Sequence, residues 1–195
     1  MIRSAILKDA GFSWLRFEKQ MNYVATECGQ WNADLLAAST EKSIELEIKI
    51  SVSDLRAEFR KPKHQHYLSA EDARPKGWKR HRWSVPNLFL FLVPAPLVAE
   101  ADALAEAHNP NYGVLSYDWE APVGERIRSF RKAQRLHGEP PTQELFQTIA
   151  KRMASDLATH YFLAARHQEF ITDLRAEMRT MVETSATAVT QEEHR

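Results

Sequence analysis

Within the run "SIELEIKI" at residues 43–50, Glu45, Glu47 and Lys49 alternate with Ile44, Leu46, Ile48 and Ile50. Alternate side chains of a strand share a face, so this period of two sends the aliphatic groups into a core and sets two carboxylates and an ammonium opposite. Just upstream lies "ADLLAAS", residues 33–39, with Asp34 near its start. A hairpin across "TEKS", centred between Thr40 and Glu41, pairs positions whose numbers sum to 81 and so puts Asp34 opposite Glu47. Directly opposed side chains have Cβ atoms roughly 4.5 to 5.5 Å apart, where two carboxylates repel. A divalent cation removes the repulsion, and hard oxygen ligands completed by water suit Mg2+ or Mn2+. Lys49, beside them, is placed to hold or help deprotonate a metal-bound water, or to stabilise charge on an attacked phosphate. A hairpin shifted by one residue on each strand pairs Asp34 with Glu45, so the pairing alone does not choose between the two glutamates. The ordinary alternative is a half-exposed strand whose solvent face carries a cross-strand charge pattern. The mirrored Asp34 and the basic residues downstream weigh against it.

Those basic residues are segregated although the formal net charge is zero. Residues 56–82 hold nine Lys or Arg against three acids, and residues 126–135 add five with no acid, whereas residues 97–120 carry five acids and no Lys or Arg. Such bias is what a polyanion-binding face looks like, with a pair of solvated basic helices as the plainer reading. Lys61 opens the first segment's candidate contacts. Lys63 and Tyr67, four apart, share a helix face from which they contact a scissile-strand phosphate or brace the site, unless they are only an exposed lysine beside a partly buried tyrosine. Trp78 and Trp83 interleave with Lys79, Arg80 and Arg82, as in a nucleic-acid loop that combines stacking with charge, or as tryptophans anchoring a loop to the core. His64 and His66 have no cysteine or third close ligand, which favours phosphate contact or solvation over metal binding.

The elements that must position these groups follow from periodicity. Residues 3–20 read as a helix weakened at Gly11, and "NYVATEC" and "ADLLAAS" as short strands about the turn "GQWN". After the strand Ile44–Ile50 a helical spacing begins, with Ser53 as its cap and Pro62 as a kink or break. "RPKGWKRHRWSVP", residues 74–86, reads as a loop, "NLFLFLV" as a buried strand, Ala95 to Ala107 as a short helix and "YGVLSYD" as another strand. This alternation predicts an α/β sandwich with a mixed sheet flanked by helices. Thr142 to Glu183 has neither Gly nor Pro, and Thr142 caps one long helix or a helical pair whose apolar stripe packs on the domain or on a partner subunit. The expected organisation is a core at 1–138, a C-terminal helical extension at 139–183 and a disordered tail at 184–195.

Bulk properties exclude several classes. A hydrophobic content of 44% with no apolar run near the roughly 20 residues of a membrane span argues for a protein without membrane partners. The Lys8-Asp9 pair interrupts what a signal peptide needs, so the expectation is a cytoplasmic protein. A single cysteine, Cys28, rules out an internal disulfide and a cysteine-built zinc site.

Asp34 followed after a short hairpin by Glu47-Ile48-Lys49 resembles the PD-(D/E)XK nuclease superfamily, the restriction-endonuclease-like fold. The ordered set "TECGQWNADLLAAS", "LEIKISVSDLRAEFRKPKHQHY", "NLFLFLVPAPLV" and "YGVLSYD" is similar to its small phage and bacterial MmcB-like branch, over roughly residues 20 to 120. The resemblance implies Asp34 and Glu47 as metal ligands, Lys49 as the catalytic lysine and Glu27 as a third acidic contributor. Glu47 is preferred to Glu45 because it stands two before the lysine. Ala33 replaces the motif proline. The implied function is a Mg2+- or Mn2+-dependent DNA endonuclease in DNA repair or phage DNA processing. A catalytically silent nucleic-acid-binding module and an RNA-directed nuclease of the same fold are the alternatives. The partner is then DNA, and the C-terminal helices offer a homodimer contact.

Overall fold

A computed structural model describes residues 4–72 and 85–192. Six strands form one mixed sheet in chain order: β1 (Tyr23–Cys28), β2 (Ala33–Ala38), β3 (Ser43–Ile48), β4 (Leu88–Pro94), β5 (Gly113–Tyr117) and β6 (Ile127–Arg131). The pairs β1–β2, β2–β3 and β5–β6 are antiparallel, and β3–β4 and β4–β5 are parallel. Parallel neighbours need crossovers, and helices supply both. Helices α2 (Val52–Glu58) and α3 (Pro62–Asp72) lie between β3 and β4, and α4 (Val98–His108) lies between β4 and β5. The expected α/β class with a mixed, helix-flanked sheet is what the chain adopts.

One face of the sheet is closed by α1 (Ser4–Ser13), which continues as a π-helical turn Trp14–Glu18. Leu7, Trp14 and Leu15 pack there on Leu35, Ala37, Ile44, Leu46, Ile48, Leu90 and Leu92. Gly11 is where the helix comes closest. A Cβ built on it would lie 2.9 Å from both Leu35 Cδ1 and Leu46 Cδ2, so the glycine expected to weaken the helix is what lets it seat. On the other face Leu55, Tyr67, Val98, Ala101 and Ala105 cover Phe89, Phe91, Val93 and Val114. Leu145 and Ile149, from the start of α5 (Gln143–Glu192), cover Ala25, Leu36 and Ala38.

Several boundaries differ from the sequence reading. Ser51, in extended conformation, caps α2 by accepting from the Asp54 N–H at 3.2 Å, and Ser53 lies inside the helix. Pro62 breaks the helix and opens α3, where its missing N–H costs nothing. Residues 127–131 form an edge strand where basic helices were the alternative. Arg131 there pairs with Asp102 and Glu106 of α4, and Arg128 with Glu125, so the acids of the 97–120 segment meet part of this basic cluster instead of leaving it bare. α5 is one helix, not a pair, and no Gly or Pro interrupts it. The chain divides into two units at Met153/Ala154 instead of at 138, since Leu145 and Ile149 belong to the first unit's core.

Candidate active site

The β2–β3 register decides between the two glutamates. Leu35 pairs with Leu46 and Ala37 with Ile44, the pairing whose numbers sum to 81, and its continuation sets Asp34 across from Glu47. The turn is held by Ser39, whose N–H donates to the Lys42 carbonyl at 2.9 Å and whose Oγ accepts from the Glu41 N–H at 3.3 Å. In β1, Thr26 pairs with Leu35 and Cys28 with Ala33, which puts Glu27 beside Asp34. The three acids named from sequence therefore stand in a row across three adjacent strands.

Their side chains converge through lysines. The Lys49 ammonium donates to Glu47 Oε2 at 2.9 Å and stands 3.0 Å from Glu58 Oε2 and 3.7 Å from Asp34 Oδ2. Asp34 Oδ2 also accepts from the Ile48 backbone N–H at 2.9 Å, so its side chain completes a ladder bond at the end of the strand pair. Lys8 of α1 pairs with Glu27 and lies 3.6 Å from Asp34 Oδ1. Asn32 Nδ2 donates to the other Glu27 oxygen at 2.9 Å.

The half-exposed strand is ruled out. Glu45, Glu47 and Lys49 are 3, 1 and 5% exposed because α2 and α3 cover their face. Buried charges must be paired, and these are. The Lys63 ammonium, fully buried, donates to Glu45 Oε1 at 2.9 Å and Glu47 Oε1 at 2.6 Å, and lies 2.6 Å from Glu58 Oε1. Tyr67 donates to Glu45 Oε2 at 2.7 Å, and Lys61 pairs with Glu58 at 2.6 Å. His64 Nδ1 meets the Tyr112 hydroxyl at 2.9 Å, with its Nε2 3.5 Å from Glu58 Oε1. Five carboxylates (Glu27, Asp34, Glu45, Glu47, Glu58) face four ammonium groups (Lys8, Lys49, Lys61, Lys63), an excess of one negative charge if all are ionised.

This arrangement fixes protonation states. Burial alone would push the Lys49 ammonium below its usual range, but the Glu47 and Glu58 carboxylates outweigh it and hold the pKa above normal. Lys63 is likewise raised by Glu45, Glu47 and Glu58 against burial. Glu58 is held well below the carboxylate range because its bond with His64 and the charges of Lys63 and Lys49 overcome desolvation. Glu45 goes the other way, raised by burial and by Glu47 despite Lys63. Burial lowers His64, leaving a neutral imidazole at neutral pH. Lys49 is consequently a fixed positive charge suited to an anionic transition state, and a poor proton acceptor.

Glu58 was missed in the sequence. Leu55, Glu58 and Phe59 stand three and four apart on the buried side of α2, and a carboxylate between two core positions was the signal. Lys63 and Tyr67, candidates for nucleic-acid contact, are buried and brace the carboxylates instead, so direct phosphate contact falls away from both. Lys61 keeps a half-exposed side chain beside Glu58. Lys79, Arg80 and Arg82, with Trp78 and Trp83, lie outside the described residues. Among the described residues no three His, Cys, Asp or Glu side chains form a ready metal cage. The residues that could hold a cation with water are Asp34 and Glu47, hard oxygen ligands that approach one ammonium. None of the described helices is long and apolar enough to cross a membrane. The chain matches no family model, no curated protein and no solved structure.

Proposed function

We propose that the chain is a metal-dependent DNA endonuclease of the PD-(D/E)XK kind, in which Asp34 and Glu47 hold Mg2+ or Mn2+ and Lys49 acts on the scissile phosphate. The observation that carries this reading is the approach of Asp34 and Glu47, from two strands, to the single ammonium of Lys49. When bound, the cation supplies Lewis acidity and an acidified water. Lys49, held protonated, stabilises charge developing on the phosphoryl oxygens, while Glu58 and Glu47 keep its ammonium in place. Glu27, bridged to Asp34 through Lys8, orients the outer edge of the site.

The test is incubation of purified protein with duplex, single-stranded and branched DNA in Mg2+ or Mn2+, with RNA of the same sequence alongside. Cleavage that needs metal and is lost in Asp34→Asn and Lys49→Ala is expected; cleavage that persists in both variants overturns the assignment. One observation favours a silent nucleic-acid-binding module: both Glu47 oxygens are taken by ammonium groups. That reading predicts salt-dependent DNA binding with no heat of metal binding in calorimetry.

A further inference from the structure

The Lys8 ammonium, carried on α1, spans two strands: it pairs with Glu27 of β1 and stands 3.6 Å from Asp34 Oδ1 of β2. That oxygen is the open side of Asp34, because Oδ2 accepts from the Ile48 N–H and lies 3.7 Å from Lys49. Deeper in, Glu47 Oε2 accepts from Lys49 and Glu47 Oε1 from Lys63, and both lysines are buried. The side chains of Lys8, Asp34 and Glu27, by contrast, are 26, 23 and 38% exposed, so an ion arriving from solvent meets Lys8 first. The backbone that carries Lys8 is fixed. Leu7 is fully buried and Gly11 seats the helix against Leu35 and Leu46, which leaves only the aliphatic stem of Lys8 to move.

We propose that Lys8 is a positioning residue that keeps the cation's place: its ammonium is the resident counter-ion of Asp34 and Glu27, and a divalent cation displaces it to reach them. The inference rests on the metal-dependent reading above. Charge balance says why one ammonium withdraws. Five carboxylates against four ammonium groups leave one negative charge; a divalent cation turns that into one positive charge, and the departure of one lysine restores neutrality. Lys8 is the one that leaves at least cost, since partly exposed pairs contribute little whereas deserting a buried carboxylate is expensive. Lys61 is exposed as well, but its partner is Glu58, which is not a ligand in that reading. The sign of the effect separates competition from bracing. A lysine that merely braced the two carboxylates would loosen them on removal and weaken the cation; a competitor strengthens it. A monovalent charge about 6 Å from a divalent one opposes it by about a factor of ten even at the dielectric of water, so a gain of at least about tenfold is expected.

The experiment is isothermal titration of the full chain with MnCl2, without DNA, for wild type, Lys8→Met and Lys8→Arg. Lys8→Met should bind Mn2+ at least about tenfold more tightly than wild type, Lys8→Arg should stay close to wild type, and adding Asp34→Asn to Lys8→Met should abolish the gain. Binding seen in Lys8→Met alone also supports the proposal. Equal or weaker binding by Lys8→Met overturns it and leaves the nuclease reading standing, whereas no binding by either protein overturns both. If Lys8→Met does not fold, Lys8→Gln is measured in its place against the same outcomes.

Discussion

Lys63→Met removes the ammonium on which Glu45, Glu47 and Glu58 converge at 2.6 to 2.9 Å and leaves a side chain of similar length. Breaking a buried pair by deleting one partner costs about 3–5 kcal/mol, because the remaining charges stay desolvated. For a unit of this size each kcal/mol moves the melting temperature by about 2–4 °C, so a fall of about 10 °C is expected. The loss depends on pH in a defined direction. Glu45 already has a raised pKa in the folded protein, and without Lys63 it rises further. A carboxyl that binds its proton more tightly when folded contributes stability below its unfolded pKa and loses it as pH climbs through the folded value. The variant should therefore be closest to wild type near pH 5 and furthest from it near pH 8. Thermal melts of both proteins by circular dichroism at the two pH values measure this. A fall under about 2 °C, or a larger deficit at pH 5 than at pH 8, would refute the claim that Lys63 neutralises the three carboxylates.

Tyr67→Phe deprives buried Glu45 of a donor, and urea titration should show a loss of about 1–3 kcal/mol. Combined with Glu45→Gln, that deficit should shrink, since an amide tolerates the missing hydroxyl better than a carboxylate does. Gly11→Ala drives a methyl against Leu35 and Leu46 at a cost of about 1–3 kcal/mol, which the better helix propensity of Ala offsets by about 1 kcal/mol, so a net loss of up to about 2 kcal/mol is expected in the same assay. Because the folded pKa of Lys49 is raised, its charge and the stability it confers persist below its unfolded pKa and disappear only above the raised value. For the proposed nuclease activity, the cleavage rate between pH 7 and 9 should show no decline that Lys49→Arg displaces; a decline near pH 8.5 that moves in that variant contradicts the fixed-charge role.

Much of this site could be read from sequence because its geometry is local. A strand with a period of two and a short turn bring Asp34 opposite either Glu45 or Glu47, and the observed register, set by the centre of that turn, selects Glu47. What covers the charged face is not local. Nothing in "SIELEIKI" says that α2 and α3 will close over Glu45 and Glu47, so the same pattern suits a solvated strand equally well. Glu58 escaped notice because a helical glutamate among Asp54, Arg56 and Arg60 looks like surface until Leu55 and Phe59 are recognised as core. β6 was hidden by its arginines, and the partners of one of them, Arg131, sit on α4, 25 and 29 residues earlier in the chain. The sequence points to Ser53 and not to Ser51 as the cap because the helix begins directly after the last strand residues, where the switch of period is blurred.

Since the Asp34 carboxylate also accepts from the peptide N–H of Ile48, anything that draws on that oxygen must be felt by a main-chain group of the neighbouring strand. The amide resonance of residue 48 is thus a built-in reporter: its chemical shift and its exchange with deuterated solvent follow the occupancy of Asp34 without any label placed in the site.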